Sequence, residues 1–219
     1  MAERAQPDRL QCAKGGLPAR GERLEGGSFC LTPEPFMLAA ARRLSMRSRV
    51  AIIMVALALV IAATPRDAER YGDNLQIALP ILAIGCSVLN GDVGEYLGRY
   101  AVMFTGLHGT KIALGDAEIN RRPNGGLKGF PSGHTATAAF GASALVQSCI
   151  TGNPVAKTVV ILAAAYTGAS RIEAGAHNIW QVLAGAIWGL FCDRFLRPGS
   201  RWRAPVGRAF ARLWRRKQA

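Results

Sequence analysis

Two of the three histidines in the chain stand beside residues that suit phosphate chemistry. His134 follows Ser132 and Gly133 in the stretch PSGH, where a loop passes into an apolar run. His177 closes the stretch SRIEAGAH, which begins at Ser170. Phosphoryl transfer from an ester needs a nucleophile and a proton donor for the leaving oxygen, and neutral imidazole and imidazolium can fill these two roles. The two histidines therefore form a candidate pair of nucleophile and acid.

Three basic residues in the same part of the sequence could bind a phosphate group. Lys111 lies near the end of an apolar run, Arg122 precedes a proline, and Arg171 ends another run. Arginine matches phosphate oxygens with two parallel donors. The free N–H groups of a helix N-terminus also favour an anion, and Ser132 and Gly133 stand at such a point. Because fixed cations can take the place of a metal, we expect neither a metal ion nor a cofactor.

Three further residues near this group are assigned no part in the chemistry. His108 lies inside an apolar run, where we expect a packed polar residue. Arg121 and Lys128 lie in a loop rich in glycine and charge, where we expect solvated side chains.

Six apolar runs separate the candidate residues and must position them. The runs lie at 50–64, 75–89, 96–114, 135–150, 155–170 and 178–196. A membrane-spanning helix needs about 20 predominantly apolar residues, and each run can be lengthened by tolerable residues at its ends. The pattern predicts an all-α bundle of six transmembrane helices, with a kink at Pro80 in the second.

The distribution of charge favours a membrane protein over a nucleic-acid-binding protein. Half of the residues are hydrophobic, yet the net charge is +13. Nine of the 27 Lys and Arg residues lie in 1–49 and nine in 194–219. A nucleic-acid-binding domain carries its basic residues on the folded surface, whereas basic ends flank membrane spans on the cytoplasmic side. We therefore expect a membrane-embedded protein with no nucleic-acid partner.

The positive-inside bias then orients the chain. With both termini in the cytoplasm, the loops near 64–74, 115–131 and 171–177 face outward, and the candidate histidines and cations meet at one outer face. We expect a multi-pass protein of a bacterial inner membrane with a periplasmic site. A cleaved signal peptide in the first run is the alternative and would leave five spans. The basic C-terminal end favours the uncleaved form.

The segments outside the helical bundle differ from it in composition. Residues 1–45 are rich in Gly, Pro and charge and are expected to be disordered. The membrane domain is assigned to 46–197. Residues 198–219 are expected to form a basic amphipathic helix that lies on anionic lipids. Its apolar face would consist of Val206, Ala209, Phe210, Leu213 and Trp214.

Two remaining features concern packing. The five cysteines, Cys12, Cys30, Cys86, Cys149 and Cys192, form no CxxC pair, and we assign none of them a redox or metal role. The last three lie in apolar runs, where we expect small buried hydrophobic residues. The stretch GAIWG at 185–189 has the GxxxG spacing that lets helices approach closely, within one subunit or between two. The oligomeric state therefore stays open.

Three motifs together resemble the signature of the phosphatidic acid phosphatase type 2 superfamily. They are RP at 122–123, PSGH at 131–134 and SRIEAGAH at 170–177. That superfamily contains integral-membrane lipid phosphatases and, as soluble relatives, vanadium haloperoxidases, so the resemblance implies its helical-bundle fold. It also implies that His177 is the nucleophile, which forms a phosphohistidine, and that His134 protonates the leaving oxygen. The residues that would hold the phosphate are Lys111, Arg122, Ser132, Gly133 and Arg171.

The sequence departs from the family pattern in three ways, one of which is a short loop of seven residues between Pro123 and Pro131. Lys111 lies eleven residues before Arg122, a longer spacing than the family usually shows, and one extra helical turn would keep its side chain on the same face. Gln181 stands where an acid is expected, four residues after His177. Its oxygen can accept the Nδ1–H and fix the tautomer, provided that a second acceptor binds its NH2 group. We therefore count Gln181 among the catalytic residues and expect Gln181→Glu to retain or raise activity.

The resemblance implies a hydrolase that acts on a lipid phosphate or lipid diphosphate. The candidate substrates are phosphatidylglycerol phosphate, a polyprenyl diphosphate and the phosphate of a lipopolysaccharide anchor. Two alternatives stay open. One is a lipid phosphotransferase that uses the same phosphohistidine, and the other is a degenerate member that binds phospholipid without turnover, which Gln181 would permit.

Overall fold

The computed structural model describes residues 44–65, 67–200, 203–204 and 208. Within them the chain forms six α-helices and no strand, in agreement with the predicted all-α class. The helices are α1 (Met46–Ala63), α2 (Ala68–Asn90), α3 (Val93–Leu114), α4 (Gly133–Ser148), α5 (Pro154–Glu173) and α6 (Ile179–Phe195), and a 3-10 turn spans Glu118–Asn120. Nearly all of the segment predicted to be disordered, and the predicted apolar face of the tail, lie outside the described residues.

Three of the described helices, α1, α2 and α5, are long and apolar enough to cross a membrane. Helices α4 and α6 have 16 and 17 residues; at 1.5 Å per residue they are about 25 Å long, against a hydrocarbon core of about 30 Å. Helix α3 has sufficient length but carries Glu95, Arg99 and Lys111. The chain is therefore a membrane protein, and six spans remain a prediction.

Helix α2 begins earlier than the sequence predicts. The apolar runs predict a loop over 64–74, but Asp67 caps the helix by accepting a hydrogen bond from the backbone N–H of Glu69 (3.0 Å), and helical structure follows directly. The first turns of α2 are polar, so no apolar run reveals them. Glu69, Gly72 and Asp73 therefore lie on a helix.

Helix α4 lies inside the bundle, with ten of its 16 residues buried. Glycines let α6 approach it closely. A Cβ at Gly185 would overlap the carbonyl oxygen of Ser132. A Cβ at Gly189 would overlap that of Ala136. The GxxxG spacing therefore serves the packing of α6 on α4 within one subunit.

A buried ion cluster joins α3, α4 and α6 at the end of the bundle away from the histidines. The carboxylate of the fully buried Asp193 pairs with Arg99 and accepts a hydrogen bond from Ser143 (2.7 Å). Arg197 adds a second guanidinium at 3.0 Å. Buried charges are tolerated when they are paired and hydrogen-bonded, which explains how charged residues fit between these apolar helices.

Two of the cysteines do more than pack. Cys86 and Cys149 form a disulfide bond between α2 and the end of α4, so the expectation of no redox role is wrong for this pair. The two residues are 63 positions apart and meet only through helix packing, which the spacing of cysteines does not reveal. Cys192 is buried and free, as expected, and Cys12 and Cys30 lie outside the described residues.

Candidate active site

A cavity of about 480 Å³ opens at the end of the bundle where α3 ends and α4 begins. Five of the residues that the sequence singles out line it, namely Lys111, Arg122, Gly133, His134 and His177. Apolar side chains of α3, among them Met103 and Leu107, also line the cavity. The fold thus brings together residues that are up to 66 positions apart in the chain.

His177 lies in the short loop between α5 and α6, and both helix ends fix its backbone. The carbonyl of Arg171 accepts a hydrogen bond from the N–H of His177 (3.1 Å). Gly175 makes the turn with a φ of 62°, a conformation that favours glycine. Asn178 then begins α6 with a capping box that it forms with Gln181. The local sequence therefore sets the position of His177.

The side chain of Gln181 fixes the tautomer of His177. Its Oε1 lies 3.1 Å from Nδ1 of His177. Its Nε2 donates to the carbonyl oxygens of Ile119 (3.1 Å) and Arg121 (2.7 Å). Because carbonyl oxygens only accept, the NH2 group must face them and the amide oxygen must face the histidine. Nδ1 therefore carries the proton, and Nε2 keeps its lone pair.

Burial lowers the pKa of His177 to about 4. The residue is only 3% exposed, so its imidazolium form would lose most of its solvation. The hydrogen bond with Gln181 raises the pKa, while the charges of Arg122 and Lys111 lower it further. The imidazole is therefore neutral at neutral pH, the state in which Nε2 can attack an electrophile.

Lys111 reaches the cavity without the extra helical turn that the sequence predicts. Helix α3 ends within one turn of Lys111, so helix continuation does not explain the long spacing to Arg122. Instead the buried Asn120 folds the loop back, because its side-chain NH2 donates to the carbonyls of Lys111 (3.0 Å) and Gly115 (2.7 Å). The ammonium group of Lys111 donates to the carbonyl of Lys128 (2.6 Å).

The guanidinium group of Arg122 is available to an anion. It lines the cavity, and its Nε is buried without a hydrogen-bond partner among the described residues. A buried donor left unpaired costs about 1–3 kcal/mol. A phosphate oxygen in the cavity would offset that cost.

The start of α4 combines a buried serine with an open glycine. The hydroxyl of Ser132 accepts a hydrogen bond from that of Thr135 (3.0 Å). The N–H of Ser132 donates to the carbonyl of Gln181 (2.9 Å), so this residue ties α4 to α6 and is fully buried. Gly133 lines the cavity, and a Cβ there would make only an ordinary contact with Leu107 at 3.7 Å. Glycine therefore leaves the helix N-terminus open to an anion.

Arg171 contacts residues of α2. The apolar runs of the sequence do not predict that this helix contributes to the site. Its Nη2 donates to the backbone carbonyl of Glu69 (2.6 Å), and its Nη1 lies 3.0 Å from Oδ1 of Asp73. The same Asp73 oxygen lies 3.1 Å from Nε2 of His134. Arg171 is thus buried beside the cavity rather than among its lining residues, and Asp73 links it to His134.

Two residues that were assigned no chemistry also line the cavity, Lys128 and His108. The expectation of a packed His108 is wrong: its side chain is exposed, its ring centroid lies 4.1 Å from that of Phe104, and its Nδ1 contacts the Phe104 carbonyl (3.0 Å). Arg121 is exposed, as expected for a loop charge, and serves the site through its carbonyl.

The chemistry of the cavity is that of an anion site with two histidines. Lysine and arginine side chains surround a neutral imidazole, and a second imidazole contacts a carboxylate. Within the described residues, no group of three or more His, Cys, Asp and Glu side chains could hold a metal ion. The arrangement suits the binding of a phosphate group and its attack by Nε2 of His177.

Residues 98–204 match the family model of the PAP2 superfamily. The matched range contains all the cavity residues that the sequence singles out, together with Gln181 and Arg171, while α2 lies before it. No curated protein and no solved structure matches the chain.

Proposed function

Because this chain belongs to the PAP2 superfamily, we propose that it hydrolyses a lipid phosphate or lipid diphosphate through a phosphohistidine at His177. Membership of this superfamily indicates phosphatase-type activity in a membrane protein. One contact carries the finer proposal: Gln181 Oε1 lies 3.1 Å from His177 Nδ1. This contact leaves the proton on Nδ1, so that the Nε2 lone pair of the neutral histidine is free to attack phosphorus.

In the first half-reaction, Nε2 of His177 attacks the phosphorus atom. An N–P bond forms, the P–O bond to the lipid breaks, and His134 gives a proton to the leaving oxygen. The Nδ1–H of His177 stays bonded to Gln181 while the ring becomes positively charged. The side chains of Lys111 and Arg122 line the cavity and stabilise the phosphoryl oxygens, and Arg171 adds positive charge from beside the cavity.

In the second half-reaction, a water molecule attacks the phosphohistidine. His134, now neutral, takes a proton from that water, the N–P bond breaks, and inorganic phosphate leaves. Nε2 of His177 regains its lone pair, and His134 is again protonated. The fixed cations supply the charge stabilisation, so we propose that the cycle needs no metal ion.

The lining of the cavity supports a substrate with a charged head group and an apolar tail. The cationic side chains lie near the histidines, while Met103, Phe104 and Leu107 of α3 supply apolar surface. A site at the end of membrane-spanning helices would lie within reach of a lipid head group, which supports a lipid substrate. A lipid phosphate therefore suits the cavity better than a small soluble ester.

We also propose that the cavity faces the periplasm of a bacterial inner membrane, with both termini in the cytoplasm. The basic ends of the chain support this orientation. The Cys86–Cys149 bond lies at the other end of the bundle and favours the reverse, because disulfides persist in oxidising compartments. Reporter fusions after Asn124 and after Gly199 decide between them. The proposed orientation requires Asn124 outside and Gly199 inside, and the opposite pattern would place the cavity in the cytoplasm.

Phosphate release by the purified protein in detergent, from a panel of lipid phosphates and diphosphates, tests the activity. We expect turnover that His177→Ala abolishes and that chelators do not affect. Transfer of the phosphoryl group to a second lipid would assign a phosphotransferase instead, since a lipid hydroxyl can replace water in the second half-reaction. Lipid binding without either product would assign the non-catalytic alternative.

A further inference from the structure

Helix α2 brings an additional polar face to the cavity. The residues on this face lie at positions i, i+3, i+4 and i+7, which share one side of a helix. They are Glu69, Gly72, Asp73 and Gln76. A Cβ at Gly72 would overlap the hydroxyl of Ser170, so glycine lets α2 lie directly against the end of α5.

The carboxylate of Asp73 joins the two sides of the site. A single buried oxygen, Oδ1, lies 3.1 Å from Nε2 of His134 and 3.0 Å from Nη1 of Arg171. The neighbouring carboxylate of Glu69 contacts the same guanidinium at 3.5 Å. Among the ion pairs of the described residues, the one that includes a cavity histidine is that of Asp73.

Burial and the neighbouring positive charges oppose the protonated state of His134 that its proposed role requires. An acid must carry its proton when the leaving oxygen departs, and Arg171 from α5 and Arg122 from the preceding loop both disfavour a second positive charge. The other titratable residues that line the cavity are Lys111, His108, Lys128 and His177. Of the groups on α2, Asp73 contacts the imidazole directly, and Glu69 contacts Arg171.

We propose that Asp73 is a positioning residue that favours the protonated form of His134 and fixes the orientation of its ring. The proposal rests on the proposed phosphatase function. In the imidazolium form, Nε2–H is the ring N–H beside Asp73, so the proton that passes to the leaving oxygen is the one on Nδ1. The same Nδ1 then accepts a proton from the attacking water. Asp73 lies before the range that matches the family model.

Asp73→Asn tests this role, because asparagine keeps the size of the side chain and removes its charge. With a lipid phosphate, kcat/KM should fall about 10- to 100-fold, a fraction of what a general acid contributes. This parameter reports the formation of the phosphoenzyme and not its hydrolysis, a step that all substrates share. With p-nitrophenyl phosphate, whose leaving oxygen needs no proton, the loss of kcat/KM should be less than about threefold. In Asp73→Asn, the basic limb of the pH profile should move to lower pH. Asp73→Glu, which keeps the negative charge, should restore part of the lost activity.

Glu69→Gln is the matched control. Glu69 lies on the same helix face as Asp73 and contacts the same guanidinium of Arg171, but it does not contact His134. In this control variant, the difference in activity between the two substrates and the basic limb of the pH profile should be the same as in the native protein. Equal losses of Asp73→Asn on both substrates with an unchanged pH profile would overturn the proposal. A lower KM with unchanged or higher kcat would also overturn it, and would show that Asp73 competes with phosphate for Arg171. If the native protein releases no phosphate from either substrate, the phosphatase function itself fails.

Discussion

The Oε1 atom of Gln181 lies 3.1 Å from Nδ1 of His177, and the carbonyls of Ile119 and Arg121 hold the other end of the same amide. The amide cannot turn over without losing both of those hydrogen bonds. A neutral side chain thereby orients the imidazole without adding negative charge beside an anion site. In the proposed mechanism, Gln181 takes the place of an acid at this position.

Replacement of Gln181 should separate orientation from charge. Gln181→Ala should lower kcat about 100-fold or more, because loss of tautomer control in a serine protease triad costs about 10⁴-fold. Gln181→Glu should also lower activity and stability, contrary to the expectation from sequence, because its second oxygen would face two carbonyl oxygens. Each lost partner corresponds to about 1–3 kcal/mol. Steady-state kinetics and thermal melts in detergent measure both effects.

The exposed Gln147 offers a control for these variants. Gln147→Ala should leave kcat and the melting temperature close to those of the native protein. Native activity in Gln181→Ala would show that another group orients His177. Raised activity in Gln181→Glu would show that the two carbonyls do not oppose a carboxylate.

The low pKa of His177, about 4, should appear in the pH profile. The attacking form is neutral, so protonation removes activity only when the pH falls to this pKa. We expect the acid limb of kcat/KM to lie at this pKa, with a fall of about tenfold per unit of pH below it. An acid limb near pH 6.5, the ordinary pKa of histidine, would contradict the burial argument. Circular dichroism over the same range checks that the protein stays folded.

The ion cluster around Asp193 should contribute strongly to stability. Asp193→Asn leaves the buried Arg99 without its counter-charge, so the free energy of unfolding should fall by about 3–5 kcal/mol. Glu95→Gln is the control, because its pair with Arg203 is partly exposed and should contribute less than about 1 kcal/mol. Equal melting temperatures of the two variants would show that the cluster does not hold the helices together.

The GxxxG spacing of α6 should be required within a single subunit. Gly189→Ala forces a Cβ against the carbonyl of Ala136 and should destabilise the protein by about 1–3 kcal/mol. Gly98→Ala on α3 meets open space and should be neutral or stabilising by up to about 1 kcal/mol. Thermal melts at two protein concentrations compare them. A loss in Gly189→Ala that vanishes on dilution would point to an interface between subunits instead.

The six helices and the grouping of His134 and His177 could be predicted because both depend on local patterns. Apolar runs mark helices, and the motifs mark the loops that end in the cavity. The role of Asp73 was not predicted, because the first turns of α2 are polar and contain no apolar run. Its spacing from Glu69 and Gln76 on one helix face was the available signal.

Other parts of the site and of the fold depend on contacts between residues that are distant in the chain or that involve backbone atoms. Asn120 shapes the loop through backbone carbonyls, and the pattern of side chains does not reveal backbone acceptors. The Cys86–Cys149 bond depends on how α2 packs against α4. One sequence specifies these contacts only through its full three-dimensional fold.

The most direct test of the account is to trap the phosphorylated protein. The purified protein is mixed with a substrate labelled in its phosphoryl group, quenched in alkali within its first turnovers, and digested for mass spectrometry. We predict an alkali-stable, acid-labile phosphate on the peptide that carries His177, absent from His177→Ala. Label on any other residue, or turnover of substrate by the native protein with no label on His177 at any quench time, would contradict the phosphohistidine mechanism.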